Sequence, residues 1–191
     1  MNYRNKNLLS KSLYSILLIL LICSIFHFIT FKSKSSQIEF ENFMHLYTTR
    51  DIKSANNYII DSSIPNINDI FYTSLTNSTD DLQTEIINNI EKLFYSINYN
   101  VISSKTLFNK STLHVNFNYY DLSKHIINYF KTPNLTENTY EDFIQSLKET
   151  KYNLSTNIDI ELVKKNKKWN IVLSEKLINI LTSGLYKNFV I

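Results

Sequence analysis

A chain of 191 residues, 43% hydrophobic and 14% aromatic, has enough length and apolar material for one domain with its own core. Its net charge of +3 is unevenly placed: Arg4, Lys6, Lys11, Lys32 and Lys34 flank an apolar N-terminal run, no acid precedes Glu39, and 15 basic residues stand against 17 acidic ones from Ser35 on. That balance argues against a nucleic-acid partner, which calls for a basic footprint, and the single cysteine, Cys23, leaves the domain without a disulfide.

Residues 12–31, SLYSILLILLICSIFHFITF, contain no formal charge. As a helix they cover about 30 Å, the hydrocarbon thickness of a bilayer, and they show no polar face. A cleaved signal peptide calls for a shorter apolar core and small residues at its end, and lipidation calls for a small residue before Cys23, where Ile22 stands. The expected layout is therefore a cytoplasmic tail over 1–11, a transmembrane anchor over 12–31, a linker over 32–37 and a domain over 38–191. Arg4, Lys6 and Lys11 outweigh Lys32 and Lys34, which keeps the N-terminus inside. The expected location is the cell membrane, single-pass, with the domain outside and the bilayer as a partner through residues 12–31.

Within the domain, Ser36 with Glu39 has the capping-box spacing, and Phe40, Phe43, Met44 and Tyr47 follow at helical intervals. Asp51 is placed to cap a short second helix with Ala55, and Pro65 opens a polar loop. Asp80 or Asp81 starts a third helix whose apolar face runs from Leu82 to Phe94. The period then changes. Leu113, Val115, Phe117 and Tyr119 alternate with polar residues, which predicts a half-buried strand paired with 101–107 through Phe108-Asn109-Lys110. Asp121 is placed to cap a helix over 122–130, and Thr139 with Asp142 repeats the capping-box spacing ahead of Phe143, Ile144 and Leu147. Ile158, Ile160 and Leu162 alternate, as do Trp169, Ile171 and Leu173, across a lysine-rich turn over 164–168. Ser174 caps a last helix, and the only glycine, Gly184, falls where a left-handed C-cap is expected.

The composition is rich in Asn, Ile, Lys, Ser and Tyr and poor in Gly, Ala, Arg and Pro, the pattern of an AT-biased genome. The Asn content on that reading needs no function of its own. The fold class predicted is α+β, with helices packed on a curved antiparallel sheet and one transmembrane helix in front.

The order helix pair, hairpin, helix, hairpin, with Tyr120-Asp121-Leu122 after one alternating strand and Asn166 to Ile171 (Asn-Lys-Lys-Trp-Asn-Ile) forming a charged turn and Trp strand, resembles the nuclear transport factor 2-like (cystatin-like) cone fold. In particular it resembles small uncharacterised envelope domains of Gram-positive bacteria. The resemblance covers about residues 36 to 185. It implies a sheet curled around a cavity, in a fold that hosts isomerases, dehydratases, ligand binders and scaffolds, so the fold does not choose the function.

The catalytic candidates are Asp121, His125 and His114. Asp121 and His125 are four apart and can share a helix face, and an acid–base pair at the mouth of the cone is what the resemblance implies for an enzyme. The plainer readings are an N-cap for Asp121, a surface position for His125 and the polar strand face for His114. The scattered histidines have no metal-ligand spacing, and neither metal nor cofactor is expected. The lysines at 164–168 suit either a solvated hairpin tip or a patch for anionic lipid or wall polymer. The leading expectation is a membrane-tethered, non-enzymatic module outside the cytoplasm that binds a protein partner or a small apolar ligand. The alternatives are a scaffold subunit of an envelope or conjugation-type secretion machine and an isomerase- or dehydratase-like enzyme.

Overall fold

The computed structural model describes residues 3–65, 81–123, 137–149, 151 and 154–186, with side chains of the N-terminal helix described over 14–25 and from Lys34. The first helix, α1 (Tyr3–Thr48), is 46 residues long and unbroken. The expected linker over 32–37 is thus helical. The stretch holds neither glycine nor proline, and serine at a helix interior costs only a few tenths of a kcal/mol, about 0.5 relative to Ala. Ser36 consequently caps nothing; it lies inside the helix and is buried. Among the residues with described side chains, no helix is long and apolar enough to cross a membrane.

A short helix, α2 (Ile52–Asn56), follows; the Asp51 side chain caps it by accepting from Ser54 N at 3.1 Å. Helix α3 (Asp81–Tyr95) leads into β1 (Asn98–Leu107) and β2 (Lys110–Tyr119). Helix α4 (Glu137–Glu149) precedes β3 (Leu154–Lys165), β4 (Lys168–Ile171) and a last helix, α5 (Glu175–Leu181). Thr139 is inside α4 rather than at its cap.

The four strands form one antiparallel sheet in the order β1-β2-β3-β4. Among the described residues β1 is an outer strand, and its pairing slips by one residue at Ile102, a bulge of the kind that blunts a sheet edge. The outer side of β4 is flanked by residues 58–60: Ile171 N donates to Tyr58 O at 2.7 Å and Ile60 N to Ile171 O at 3.1 Å. The β3–β4 turn tightens to Asn166 and Lys167, both at positive φ (52° and 66°), the two-residue geometry that matches strand twist.

One face of the sheet is buried. Leu113, Val115 and Phe117 of β2, Ile158, Ile160 and Leu162 of β3, and Trp169 and Ile171 of β4 pack against Phe40, Phe43, Met44 and Tyr47 of α1. Those four α1 residues stand at i, i+3, i+4 and i+7, which places them on one stripe of the helix, and each contributes about 1.5–3 kcal/mol on burial. Helices α3 and α4 add Ile90, Phe94, Phe143, Ile144 and Leu147 and are joined by Lys148 Nζ to Glu85 Oε1 at 2.9 Å.

Helix α5 is fixed at both ends. Ser174 accepts from Leu177 N at 3.2 Å. At the other end Ser183 N donates to Ile180 O at 3.0 Å and Gly184 N to Asn179 O at 2.8 Å, the paired bonds of a Schellman ending. The first left-handed residue is Ser183 (φ 48°) and Gly184 (φ 82°) is the second, one position later than the C-cap expected for it. The reason for glycine there is a neighbour as much as a dihedral: a Cβ on Gly184 would lie 2.4 Å from Asp121 Oδ1.

Candidate functional site

Because β2 and β3 alternate strictly, burying one face leaves the other polar. Across three strands the paired rows on that outer face are Asn98–Asn118–Ser155, Asn100–Asn116–Asn157, Ser103–His114–Asp159 and Lys105–Thr112–Glu161. Directly opposed side chains on such a face have Cβ atoms about 4.5–5.5 Å apart, close enough to bond one another. They do. Asn116 Nδ2 donates to Asn157 Oδ1 at 2.7 Å and to Ser155 Oγ at 3.2 Å, and Asn118 Nδ2 donates to Asn116 Oδ1 at 3.2 Å. His114 Nδ1 lies 2.8 Å from Asp159 Oδ1, with the two side chains 41% and 67% exposed. The outer face is therefore a cross-linked ladder of amides and hydroxyls, held by its own bonds and open to solvent among the described residues.

Of the three candidate catalytic residues, the two within the described residues, His114 and Asp121, stand apart. His114 sits on the outer face and takes Asp159 as its partner, not Asp121. Five residues of extended strand, about 17 Å, separate it from Tyr119, beyond which Asp121 lies. Asp121 Oδ1 accepts from Ser123 N at 3.0 Å and Ser123 Oγ at 2.5 Å, the local bonding of a cap, and Leu122 N donates to Ser183 O at 2.9 Å. The Leu122 backbone, next to Asp121, thus ties the end of β2 to the end of α5. His125 lies outside the described residues.

The row Ser103–His114–Asp159 has the residue types of a hydrolase triad, with the carboxylate on Nδ1 of the imidazole. Its setting lacks what makes such a row work. The nucleophile position is exposed on a flat outer strand, and catalysis of this type depends on unspent donors aimed at a developing oxyanion in a water-excluded site. Among the described residues no group of three His, Cys, Asp or Glu side chains is placed to hold a metal ion.

Sequence reasoning assigned the asparagines to codon bias and so missed the ladder. The available signal was their alternation: Asn116 and Asn118 fall on one face of β2, and Asn98 and Asn100 on the same face of β1. It also missed a hydroxyl cluster on the buried side, where Ser111 Oγ lies 2.7 Å from Ser36 Oγ and 2.9 Å from Thr106 Oγ1. All three residues are buried, and together they pin α1 to the β1–β2 hairpin. Tyr47, whose hydroxyl donates to Leu181 O, pins the same helix to α5; burial, and then the nearby Tyr95, push its phenol well above the ordinary value.

No family model matches the chain, and no curated protein matches it. Among solved structures the chain is similar to a candidate lipoprotein (ycdA) from Bacillus subtilis, at 12% identity and a TM-score of 0.33, over 56% of this chain. The match spans 39% of that protein's length.

Proposed function

We propose that the chain is a membrane-tethered, non-enzymatic binding module, presented outside the cytoplasm on a single N-terminal span, with the outer face of its sheet as the recognition surface for a protein partner. The observation that carries this reading is the division of the sheet. One face is consumed by the core, and the other is a solvent-open ladder whose side chains already hold one another in place. Such a face loses little side-chain entropy on binding, and its exposed donors and acceptors suit the polar surface of another protein. Its charged side chains are of both signs, Asp159 opposite His114 and Lys105 in one row with Glu161, which favours a partner of mixed charge over a polyanion. The helix laid across one face of a four-strand meander supports the cone-like reading of the fold, and the uncharged run over 12–31 supports the span.

The test is site-specific photo-crosslinking in intact cells, with the probe at Asn157 on the ladder and, as control, at Lys176 on α5. The reading expects discrete adducts from the Asn157 probe only, weakened by Asn116→Asp and Asn118→Asp. Adducts of equal yield from both positions, or none from Asn157, would remove the ladder as the binding face. Ester hydrolysis by the full-length protein that disappears in His114→Ala and Ser103→Ala would overturn the non-enzymatic part.

A further inference from the structure

Both hairpin turns lie at the same end of the sheet: Lys164 N donates to Asn109 O at 2.7 Å, so the β3–β4 tip stands beside the β1–β2 tip. The hydroxyl cluster fixes α1 at that same end, through Ser36 and Ser111. Farther along, Phe40 meets Phe117 at 6.3 Å between ring centroids, so α1 and β2 run in the same sense and the N-terminal part of α1 leaves the domain past the turns. Phe31, the last residue of the uncharged run, precedes Ser36 by five residues, about 7.5 Å of helix rise. Phe108 stands in the turn, two rungs of the hairpin beyond Ser111, about 7 Å. The turn therefore projects back along α1 about as far as the start of the apolar run.

What it carries is unusual for a solvated tip. Leu107 is 62% exposed and Phe108 77% exposed, and Phe108 is held at φ 53°, a left-handed conformation that a bulky residue rarely adopts. Exposed lysines occur at this end of the domain: Lys34 on α1, Lys105 and Lys110 on the first hairpin, Lys165 and Lys167 on the second. Lys164 and Lys168 are turned inward instead, with Nζ 5.5 Å from the Trp169 ring centroid and 4.1 Å from that of Tyr58. The carboxylate in the neighbouring row is Glu161, opposite Thr112. Two exposed apolar side chains on an end of the domain that also carries exposed lysines, beside a helix that continues into an uncharged apolar run, match the chemistry of the headgroup layer: an apolar body below and cations at the level of phosphates.

We infer that this end of the domain is a bilayer-contact surface, with Leu107 and Phe108 entering the interface and Lys105, Lys110, Lys165 and Lys167 meeting anionic phospholipid headgroups. The inference rests on the reading of residues 12–31 as a span. It makes the tether rigid and short, so the domain rides on the membrane with a fixed orientation rather than swinging on a linker.

The experiment uses the full chain in vesicles of phosphatidylcholine alone or with phosphatidylglycerol, carrying spin-labelled lipids at headgroup or mid-chain depth. A fluorophore is placed on Cys23, the native cysteine inside the apolar run, or on Asn109→Cys in a Cys23→Ser background. The expected result is quenching of the Cys23 label by mid-chain spins and of the residue-109 label by headgroup spins. Leu107→Ser with Phe108→Ser should abolish the second and leave the first. The variant K105Q/K110Q/K165Q/K167Q should reduce it only where phosphatidylglycerol is present. A quenched Cys23 label with an unquenched residue-109 label overturns the contact surface and leaves the span standing. An unquenched Cys23 label overturns the span, and the inference with it. Equal quenching in both lipids that ignores the lysine changes removes the anionic headgroup from the account.

Discussion

The two halves of α1 are one continuous helix with opposite surroundings. Over 14–25 every described side chain is exposed, including Ile16 (54%), Leu17 (63%) and Leu20 (64%), whereas Phe40, Phe43, Met44 and Tyr47 are at most 1% exposed. The second half is amphipathic: its buried residues Phe40, Phe43, Met44 and Tyr47 stand at i, i+3, i+4 and i+7, with Glu39 just before them and Glu41 and Asn42 between. The first is apolar all round. One face of the sheet satisfies the amphipathic half; the exposed apolar half is the one that the proposed span would place in an environment apolar on every side. The comparison locates the domain's packing in the second half of the helix.

Substitutions sharpen that division, beginning with the largest effect. Phe40→Ala removes a ring that meets Phe43, Tyr99 and Phe117 and should lower unfolding stability in a denaturant titration of the detergent-solubilised protein by about 3–5 kcal/mol. Leu17→Ala, in the exposed half, should change it by no more than about 0.5 kcal/mol. Equal losses would mean that the first half packs on the domain.

Gly184→Ala comes next. It puts a side chain at φ 82° and onto Asp121 Oδ1, and should cost roughly 1–3 kcal/mol from the backbone alone, with the contact in addition. In an Asp121→Ala background the contact part should vanish and the backbone part remain, which a double-mutant cycle reads directly.

Alkaline pH probes the same packed half. In the folded protein burial makes the Tyr47 phenol hold its proton more tightly than in the unfolded chain. The stability this contributes is full below the ordinary phenol value of about 10 and is lost as pH rises above it. Tyr95, Tyr99 and Tyr119 are raised in the same direction, chiefly by burial. Melting temperature should therefore fall above about pH 10, and Tyr47→Phe should flatten that fall at the expense of one hydrogen bond, about 1 kcal/mol, at neutral pH. An unchanged alkaline slope in the variant would contradict the assignment. Within the packed half, a modest loss is expected from Ser36→Ala, about 0.5–1.5 kcal/mol, because Ser111 keeps Thr106 as a partner.

The strands and the packed stripe of α1 were legible in the sequence because period-2 and period-3.6 patterns record which face is buried. Caps on short helices were legible at Asp51 and Ser174, where the chain turns sharply into the helix. The same spacing misled at Ser36 and Thr139, since a capping box has meaning only if the helix starts there, and nothing local stops a helix from running through serine or threonine. Gly184 was flagged for its dihedral, but its close approach to Asp121 joins residues 63 positions apart, which no local pattern encodes. The site was less legible than the fold. Asp121 bonds locally to Ser123, and His114 found Asp159 across a strand pairing that only the register reveals.

The most direct test of the account is the topology of α1. In a Cys23→Ser background, Asn157→Cys should react with a membrane-impermeant maleimide on intact cells, whereas Asn5→Cys should react only after lysis, and both should fractionate with membranes. Labelling of Asn5→Cys but not Asn157→Cys on intact cells, or recovery of the full-length chain in the soluble fraction, would contradict it.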